Sequence, residues 1–434
     1  MDRRAVRITE VLKQHGFDAY LVGGCVRDLL LGREPSDYDV ATSAPPVQVI
    51  GLFPGSEVVG AQFGVALVDG VEVATFRSES DYADGRHPEH VAFETDVRKD
   101  VARRDFTINA LLMDAGSGEV IDHVGGREDL RLGFVRAIGN PELRFREDRL
   151  RMLRAVRFAA RLGFEIEPGT AAAIGRLCGL AREVSAERTR DELVRILIEG
   201  NAMRGFELLD ATGLLTVVLP EVAAFKGVAQ PPEFHPEGDV WTHVLLMLGA
   251  MKDPSPALAL GVLLHDVGKP GTFRLAERIR FDGHVELGRT IAARILTRLR
   301  CSKEDMRTVD DLVANHMRFK DVDQMRESTL LRFLRLPHFD EHLELHRLDC
   351  LSSHGRLGHY EAMKARWERT PPEVVRPSPL LTGDDLIAAG YKPGLAFRGA
   401  LSAVEDAQLE GKVRSRTEAL ALASEVLKGT AGLI

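Results

Sequence analysis

The chain has 434 residues, enough for roughly three domains of about 150 residues each and for a sizeable core, which excludes a small one-domain binding module. It is 44% hydrophobic, 28% charged and 6% aromatic, a composition that fits a folded globular protein and neither a disordered nor a membrane chain. The formal charge of −8, from 57 Lys plus Arg against 65 Asp plus Glu, points away from a nucleic-acid partner on average, yet the stretch RFREDRLRMLRAVRFAAR from Arg144 to Arg161 is locally basic enough for a phosphate-binding face.

The chain opens MDRRAVRITEVLKQHGF, an amphipathic helix pattern with early charge and no secretory signal, so a cytoplasmic location is expected. A short apolar strand, AYLV, then runs into Gly23 and Gly24 and a helix. Glycines between strand and helix leave backbone N–H groups open to a phosphate, although a lone GG turn is weak evidence. Asp37 and Asp39 flank Tyr38; read on a strand, this spacing places both carboxylates on one face. Paired carboxylates suit Mg²⁺, while a bare DxD equally fits a solvated turn. Glu72 sits in the alternating strand VEVATF, with Ala74 and Phe76 on its face, and reads either as a third carboxylate or as an outward residue. Further on, RKDVARRDFTINALLMD sets Arg103 and Arg104 before Asp105 and an apolar, helix-like run through Ile108, Leu111 and Leu112. Two guanidiniums there can grip a triphosphate. From about Asp100 the spacing is helical almost to the end, with helix ends expected at Gly163, Gly200 and Gly213. The Pro-rich stretches Ala229–Gly238 and Thr370–Pro379 read as linkers or domain edges. The longest apolar stretches, Val240–Met251 and Pro254–Leu264, are too short to span a membrane. Cys25, Cys178, Cys301 and Cys350 are scattered and expected to be reduced.

The middle of the chain carries His243, His265 and Asp266 in LLHDVGKP, His284, His316 and Asp349. A single histidine on an apolar helix is more often core than ligand; this many His and Asp groups offer N and O donors for a divalent metal. Lys269 is placed to touch a phosphate.

The set GGCVRD, DYD, VEVATFR, DGRHP, RRDFTIN and EDRLRMLRAVRF, in order across the first half of the chain, resembles the class II tRNA nucleotidyltransferase and bacterial poly(A) polymerase family. The later His and Asp set resembles an HD domain, a metal-dependent phosphohydrolase fold. The resemblance implies an α+β protein: a small mixed-sheet nucleotidyltransferase head over 1–143, a helical neck with a nucleotide-selecting motif over 144–228, an HD domain over 229–370 and a helical, tRNA-contacting tail over 371–434. It implies Asp37 and Asp39 as ligands of two Mg²⁺ ions, with Glu72 as third catalytic carboxylate. Gly23, Gly24 and Arg27 match the triphosphate turn, and Arg104, Asp105 and Asn109 the motif that holds ribose and phosphates. Glu147, Asp148 and Arg151 match the EDxxR template, with Arg154 and Arg157 in the same nucleotide-binding set. Asp148 and Arg151, taken as i, i+3 neighbours on a helix, would read the Watson–Crick edge of CTP or ATP. Asp84, Gly85, Arg86 and His87 resemble the flexible loop used in switching to ATP, which argues against a CC-only enzyme. The segment Val58–Val68 lacks a basic cluster and resembles the tRNA-directed branch. The HD resemblance implies a divalent transition metal or Mg²⁺ held by His243, His265, Asp266, His284, His316 and Asp349. In the tail, Lys392, Arg398, Lys412, Arg414 and Arg416 form a modest basic surface, equally readable as an ordinary solvated face. The activity implied is addition of CCA, or only its terminal A, to tRNA 3′ ends from CTP and ATP with release of pyrophosphate. The alternatives are a poly(A) polymerase, an HD phosphodiesterase or nucleotidase, and a non-catalytic RNA-binding protein. Membrane association is not expected, and oligomeric state is open.

Overall fold

The computed structural model describes residues 1–59, 64–82 and 88–431. They form two compact units: Met1–Ala224 with Ile295–Cys301, and Phe225–Arg294 with Ser302–Ile434. Together they make the expected α+β protein: one mixed sheet at the front of a mostly helical chain.

In the first unit, helix α1 (Arg3–Gln14) is capped by Asp2 and buries Ala5, Ile8 and Leu12, a three-and-four spacing that lays one face on the sheet. The strands are β1 (Ala19–Val22), β2 (Asp39–Thr42), β3 (Glu57–Val58), β4 (Val65–Val68) and β5 (Val71–Thr75). They continue with a hairpin, β6 (Arg77–Tyr82) and β7 (Pro88–Phe93), and then β8 (Leu112–Met113) and β9 (Val120–Ile121). The main sheet has the order β3-β4-β5-β2-β1-β8-β9. Only β2 and β5 run parallel in it; the other pairs are antiparallel. Leu21, Val40, Ala66, Val68, Val73 and Leu111 fill its core.

The apolar run expected to be helical after Asp105 is instead a 3-10 turn over Thr107–Asn109 followed by strand β8. Both residues of β8 are buried, so the alternation that marks a half-exposed strand is missing. Helices α2 (Gly24–Leu30), α3 (Pro46–Leu52), α4 (Val97–Ala102) and α5 (Gly126–Leu132) surround the sheet. The helical part of the unit begins with α6 (Pro141–Glu147) and α7 (Arg151–Leu162), and continues with α8 (Pro168–Leu177), α9 (Ala186–Ile198) and α10 (Ala202–Ala211). Gly163 closes α7 in left-handed backbone, at φ 74°.

The second unit is helical apart from one short hairpin. Its first Pro-rich stretch lies just past the boundary at Phe225, as a domain edge would, and it is folded: Ala229 pairs with Asp239 and the Val240 N–H donates to the Val228 carbonyl, so residues 229–239 close into a loop. The second holds a one-turn helix, Pro372–Val375. Phe319, Phe333 and Phe339 centre one core, and Leu386, Ala400, Val404, Ala419 and Ala423 another. Among the described residues no helix is long and apolar enough to cross a membrane. Cys25, Cys178 and Cys350 are free thiols.

Candidate functional sites

Strand register brings the head site together. Asp39 starts β2, opposite Glu72 on the parallel strand β5 and opposite Val22 at the end of β1. The next residue, Gly23, has φ 81° and ψ −133°, a conformation open essentially to glycine. A methyl group on it would lie 3.9 Å from Asp39 Oδ2 and 3.8 Å from both Arg104 Nη1 and the Asn109 carbonyl. Gly23, Asp39, Arg104 and Asn109 therefore share one corner. Burial first, and then the neighbouring Glu72, push the Asp39 carboxyl up to about 6, with Asp37 adding to the rise and Arg104 opposing it. Crowded carboxylates of this kind are relieved by a cation. Asp37 stands outside the strand, exposed, and accepts from Ser36 Oγ at 3.0 Å. The two aspartates are thus not i, i+2 neighbours on one strand: pairing begins only at Asp39. Sets of three donor atoms within 4.8 Å of one another occur, among the described residues, only in the second unit, so the head carboxylates stand more openly than that.

Behind this corner the motif residues are linked by hydrogen bonds. Arg27 is enclosed rather than presented to solvent; it donates to Asp28 at 2.8 Å and to Asn109 Oδ1 at 2.6 Å. A Cβ on Gly24 would meet its guanidinium at 3.6 Å. Asn109 donates to Asp105 Oδ1 at 3.2 Å, and Asp105 Oδ2 accepts from Arg154 at 2.6 and 2.9 Å. Burial works to raise the Asp105 carboxyl, but Arg154 and Arg151 outweigh it and hold it below its usual range. Asp100, at 1% exposure, accepts from both RRDF arginines, with bonds of 2.6 and 2.9 Å from Arg103 and of 2.9 and 3.2 Å from Arg104. Asp100 is not among the residues the motifs single out; its signal is an acid three and four residues before an arginine pair.

The template residues do not share a helix. Glu147 ends α6, Asp148 breaks it with extended backbone (φ −138°, ψ 106°), and Arg151 begins α7. The helical i, i+3 placement of Asp148 and Arg151 is therefore corrected; the Asp148 side chain accepts the Leu150 N–H at 3.1 Å instead. Its other oxygen accepts from Arg188 at 2.9 Å. Glu147 takes Arg144 and, at 3.1 Å, Arg151, which also donates to the Arg103 carbonyl at 2.9 Å. Arg157 is buried against Glu192 (2.7 Å) and Glu199 (3.0 Å). The ring of Phe158 lies 5.3 Å from the Arg27 and Arg154 guanidiniums and 4.4 Å from that of Arg157. Asp84, Gly85, Arg86 and His87 lie outside the described residues. In the tail, Lys412 pairs with Glu410 and Arg416 with Asp385, which leaves that basic surface partly neutralised.

The second unit gathers the whole His and Asp set. His243 lies on the helix Val240–Ala250, His265 and Asp266 follow the helix Pro256–Leu264, His284 opens His284–Arg298, His316 follows Lys303–Asn315 and Asp349 lies on Phe339–Ser352. Donor atoms of His243, His265 and Asp349 form one cluster within 4.8 Å, and those of Asp266, His284 and His316 another. Nε2 of His243 and Nε2 of His265 are buried without a well-aligned hydrogen bond, although Asp349 Oδ1 lies 3.3 Å from the first and Asp266 Oδ2 3.1 Å from the second. Imidazole nitrogens facing a carboxylate in this way fit a divalent metal. Asp266 accepts from Lys269 Nζ at 2.6 Å and, against burial, is held well below the usual carboxylate range by His265 and Lys269. Burial also works to lower His243, but Asp349 and Glu237 carry it up to about 9. Burial, reinforced by His265, pushes His316 down to about 4. Glu237 and His235, from the Pro-rich loop, join His243 in a third cluster.

Comparison with known proteins finds matches in three successive segments of the chain. Residues 19–136 match the poly A polymerase head domain, 163–226 the probable RNA and SrmB- binding site of polymerase A, and 240–343 the HD domain. A CCA-adding enzyme of Geobacillus stearothermophilus is 46% identical over 225 residues, 51% of this chain and 55% of the relative. One from Lactobacillus johnsonii is 39% identical over 264 residues, 58% of this chain and 65% of the relative. The crystal structure of the Bacillus stearothermophilus CCA-adding enzyme in complex with CTP superposes with TM-score 0.76 at 28% identity, covering 100% of both chains. This chain carries a poly A polymerase head domain followed by an HD domain. The curated relatives are matched over only about half to two thirds of their length. A Thermotoga maritima CCA-adding enzyme complexed with tRNA shares the fold, with TM-score 0.59 at 19% identity over 99% of this chain and 96% of that one. Members with this head and with an HD domain are metal-dependent, and the second unit offers donor sets of the required kind.

Proposed function

We propose that the chain is a template-independent tRNA nucleotidyltransferase that adds CCA, or its terminal A alone, to tRNA 3′ ends from CTP and ATP, releasing pyrophosphate. The observation that carries this reading is the continuity of the head site. Asp39 faces Glu72 across two strands, Gly23 and Arg104 lie beside it, and one bonded path runs through Arg27, Asn109 and Asp105 to Arg154. A second path joins the RRDF arginines to the template through Arg151 and the Arg103 carbonyl. The names of the relatives and the full-length likeness to a CTP-bound enzyme support it.

In this reading Asp37, Asp39 and Glu72 hold Mg²⁺, which supplies charge neutralisation at the attacking hydroxyl and the leaving pyrophosphate. The chain's own residues bind and orient. Gly23 and Gly24 leave room for the triphosphate, and Arg104, held by Asp100, faces it. Asn109, fixed by Arg27 and Asp105, meets the ribose. Asp148 accepts from the exocyclic amine of cytosine or adenine while Arg151 donates to a ring acceptor. Arg154 and Arg157 hold that wall from behind. The division into head, neck, HD domain and tail at 143, 228 and 370, a tail that touches tRNA, and a cytoplasmic setting belong to the same proposal. Replacing Asp37 and Asp39 together by alanine tests it: nucleotide addition to tRNA should vanish, and persistence of addition refutes the assignment.

A second activity is favoured by the buried Nε2 atoms of His243 and His265: a divalent metal there, with Lys269 for a phosphate, gives a phosphohydrolase. Replacing His265 and Asp266 should abolish hydrolysis of a phosphoester such as 2′,3′-cyclic AMP and leave nucleotide addition intact; loss of addition would make the HD site the main activity.

A further inference from the structure

The histidines of the second unit differ in what holds their rings. Nδ1 of His265, His284 and His316 lies 2.9, 2.8 and 2.8 Å from the carbonyl three residues earlier, at Val262, Phe281 and Val313. A carbonyl only accepts, so each of these rings carries its proton on Nδ1 and turns Nε2 inward. His243 makes no such bond to its own helix. Its Nδ1 lies 2.7 Å from Oε1 of Glu237, which also takes Nδ1 of His235 at 2.9 Å. The His235 ring stands edge-on to His243 with centroids 5.0 Å apart.

Glu237 is held there by a closed loop. Ala229 pairs with Asp239, the Gly227 N–H donates to Asp239 Oδ2 at 2.7 Å, and Asp239 caps the helix that carries His243. The same loop places Gln230 Oε1 2.6 Å from Lys269 Nζ, so it forms a wall of the site at two points. The Glu237 side chain is 6% exposed; Oε1 takes both histidines while Oε2 is buried without a hydrogen-bond partner.

We propose that Glu237 is the positioning residue of the HD metal site: its carboxylate fixes His243 with the proton on Nδ1, and so turns Nε2 toward His265 and Asp349. The inference rests on the reading of that site as a metal site. Metal-bound histidines generally donate their second N–H to a carboxylate or carbonyl, and loss of that partner weakens binding by about 10- to 100-fold. Three of the four rings draw this support from their own helix turn; only His243 depends on a side chain from elsewhere.

The test uses the full-length protein, Ni²⁺ alone as probe in calorimetry, and ¹⁵N spectra of the histidine rings. Glu237→Leu should bind Ni²⁺ about 10- to 100-fold more weakly, whereas Glu237→Gln, whose amide oxygen still accepts from Nδ1–H, should stay within about threefold. At a pH above 9, where the His243 ring is neutral, the metal-free wild type and Glu237→Gln should show it as the Nδ1–H tautomer and Glu237→Leu a mixture, with His265, His284 and His316 unchanged. Ni²⁺ binding by Glu237→Leu as tight as wild type overturns the proposal. So does equal weakening by Gln and Leu, which would make Glu237 a ligand. If Glu237→Leu fails to fold by circular dichroism, the wild-type spectrum decides: a His243 ring protonated on Nε2 and not on Nδ1 overturns the proposal. Failure of the underlying reading looks different, because wild-type Ni²⁺ binding would then survive the double replacement of His265 and Asp349 by alanine.

Discussion

Replacing Asp100 by alanine removes a buried acceptor shared by two guanidiniums. Asp100 is 1% exposed, and four N–H groups of Arg103 and Arg104 converge on it at 2.6 to 3.2 Å. Breaking a buried ion pair from one side costs about 3–5 kcal/mol. The arginine side chains keep 16% and 18% of their exposure, so water compensates them in part and the lower end, about 3 kcal/mol, is expected. For a cooperative unit of about 150–250 residues this lowers Tm by about 6–12 °C, measurable by calorimetry. Arg104, which lies beside Gly23 and Asp39, also loses its fixed direction. The KM for ATP should therefore rise about tenfold at a temperature where the variant is still folded, the equivalent of one lost charge-assisted hydrogen bond. A Tm within 2 °C of wild type together with an unchanged KM would refute the claim that Asp100 orients the triphosphate-facing arginines.

Gly23→Ala forces a side chain into a glycine-only conformation, at a cost of about 1–3 kcal/mol, and sets a methyl group into the corner shared by Asp39 and Arg104; nucleotide addition should fall at least tenfold in steady-state assays on a folded protein. Arg157→Ala leaves Glu192 and Glu199 facing a buried void, so urea denaturation should show a loss of about 3–5 kcal/mol. Asp114 caps the turn between β8 and β9 and pairs with Lys13; the Lys13 hydrogen bond, then those from the backbone of Ser117 and Gly116, bring it down to about 2. A lowered acid stabilises the fold above its unfolded value of 3.8, and that contribution disappears as pH falls through 2. Discounted for its exposed position, Asp114→Asn should cost about 1 kcal/mol at pH 7 and nothing below pH 2, as read from melting temperatures across that range.

The head site was legible because its chemistry lies in short, ordered motifs: GG, DYD, RRDF and EDRLR each mark an element that ends at the site. Register was not legible. That Asp39 faces Glu72 follows from parallel pairing of β2 with β5, a long-range choice that no local pattern encodes. The run through Leu111 and Leu112 reads as helix because a strand buried on both faces loses its alternation. Asp148 reads as helical because the apolar spacing of α6 and α7 runs through it; the break comes from its own side chain accepting the Leu150 N–H. In the second unit the metal-facing residues announced themselves as histidines and aspartates. Glu237 did not, since a glutamate among prolines reads as solvated loop until the loop is seen to close on His243.

The most direct test of the central claim is incubation of the purified protein with Mg²⁺, CTP and ATP and three tRNA transcripts, ending before the first C, after the first and after the second, with products resolved to single nucleotides. The account predicts that the transcript already ending in CC gains one A and stops; if the enzyme builds the whole triplet, all three transcripts finish at CCA. Long A tails, or no addition to any of the three, would contradict it.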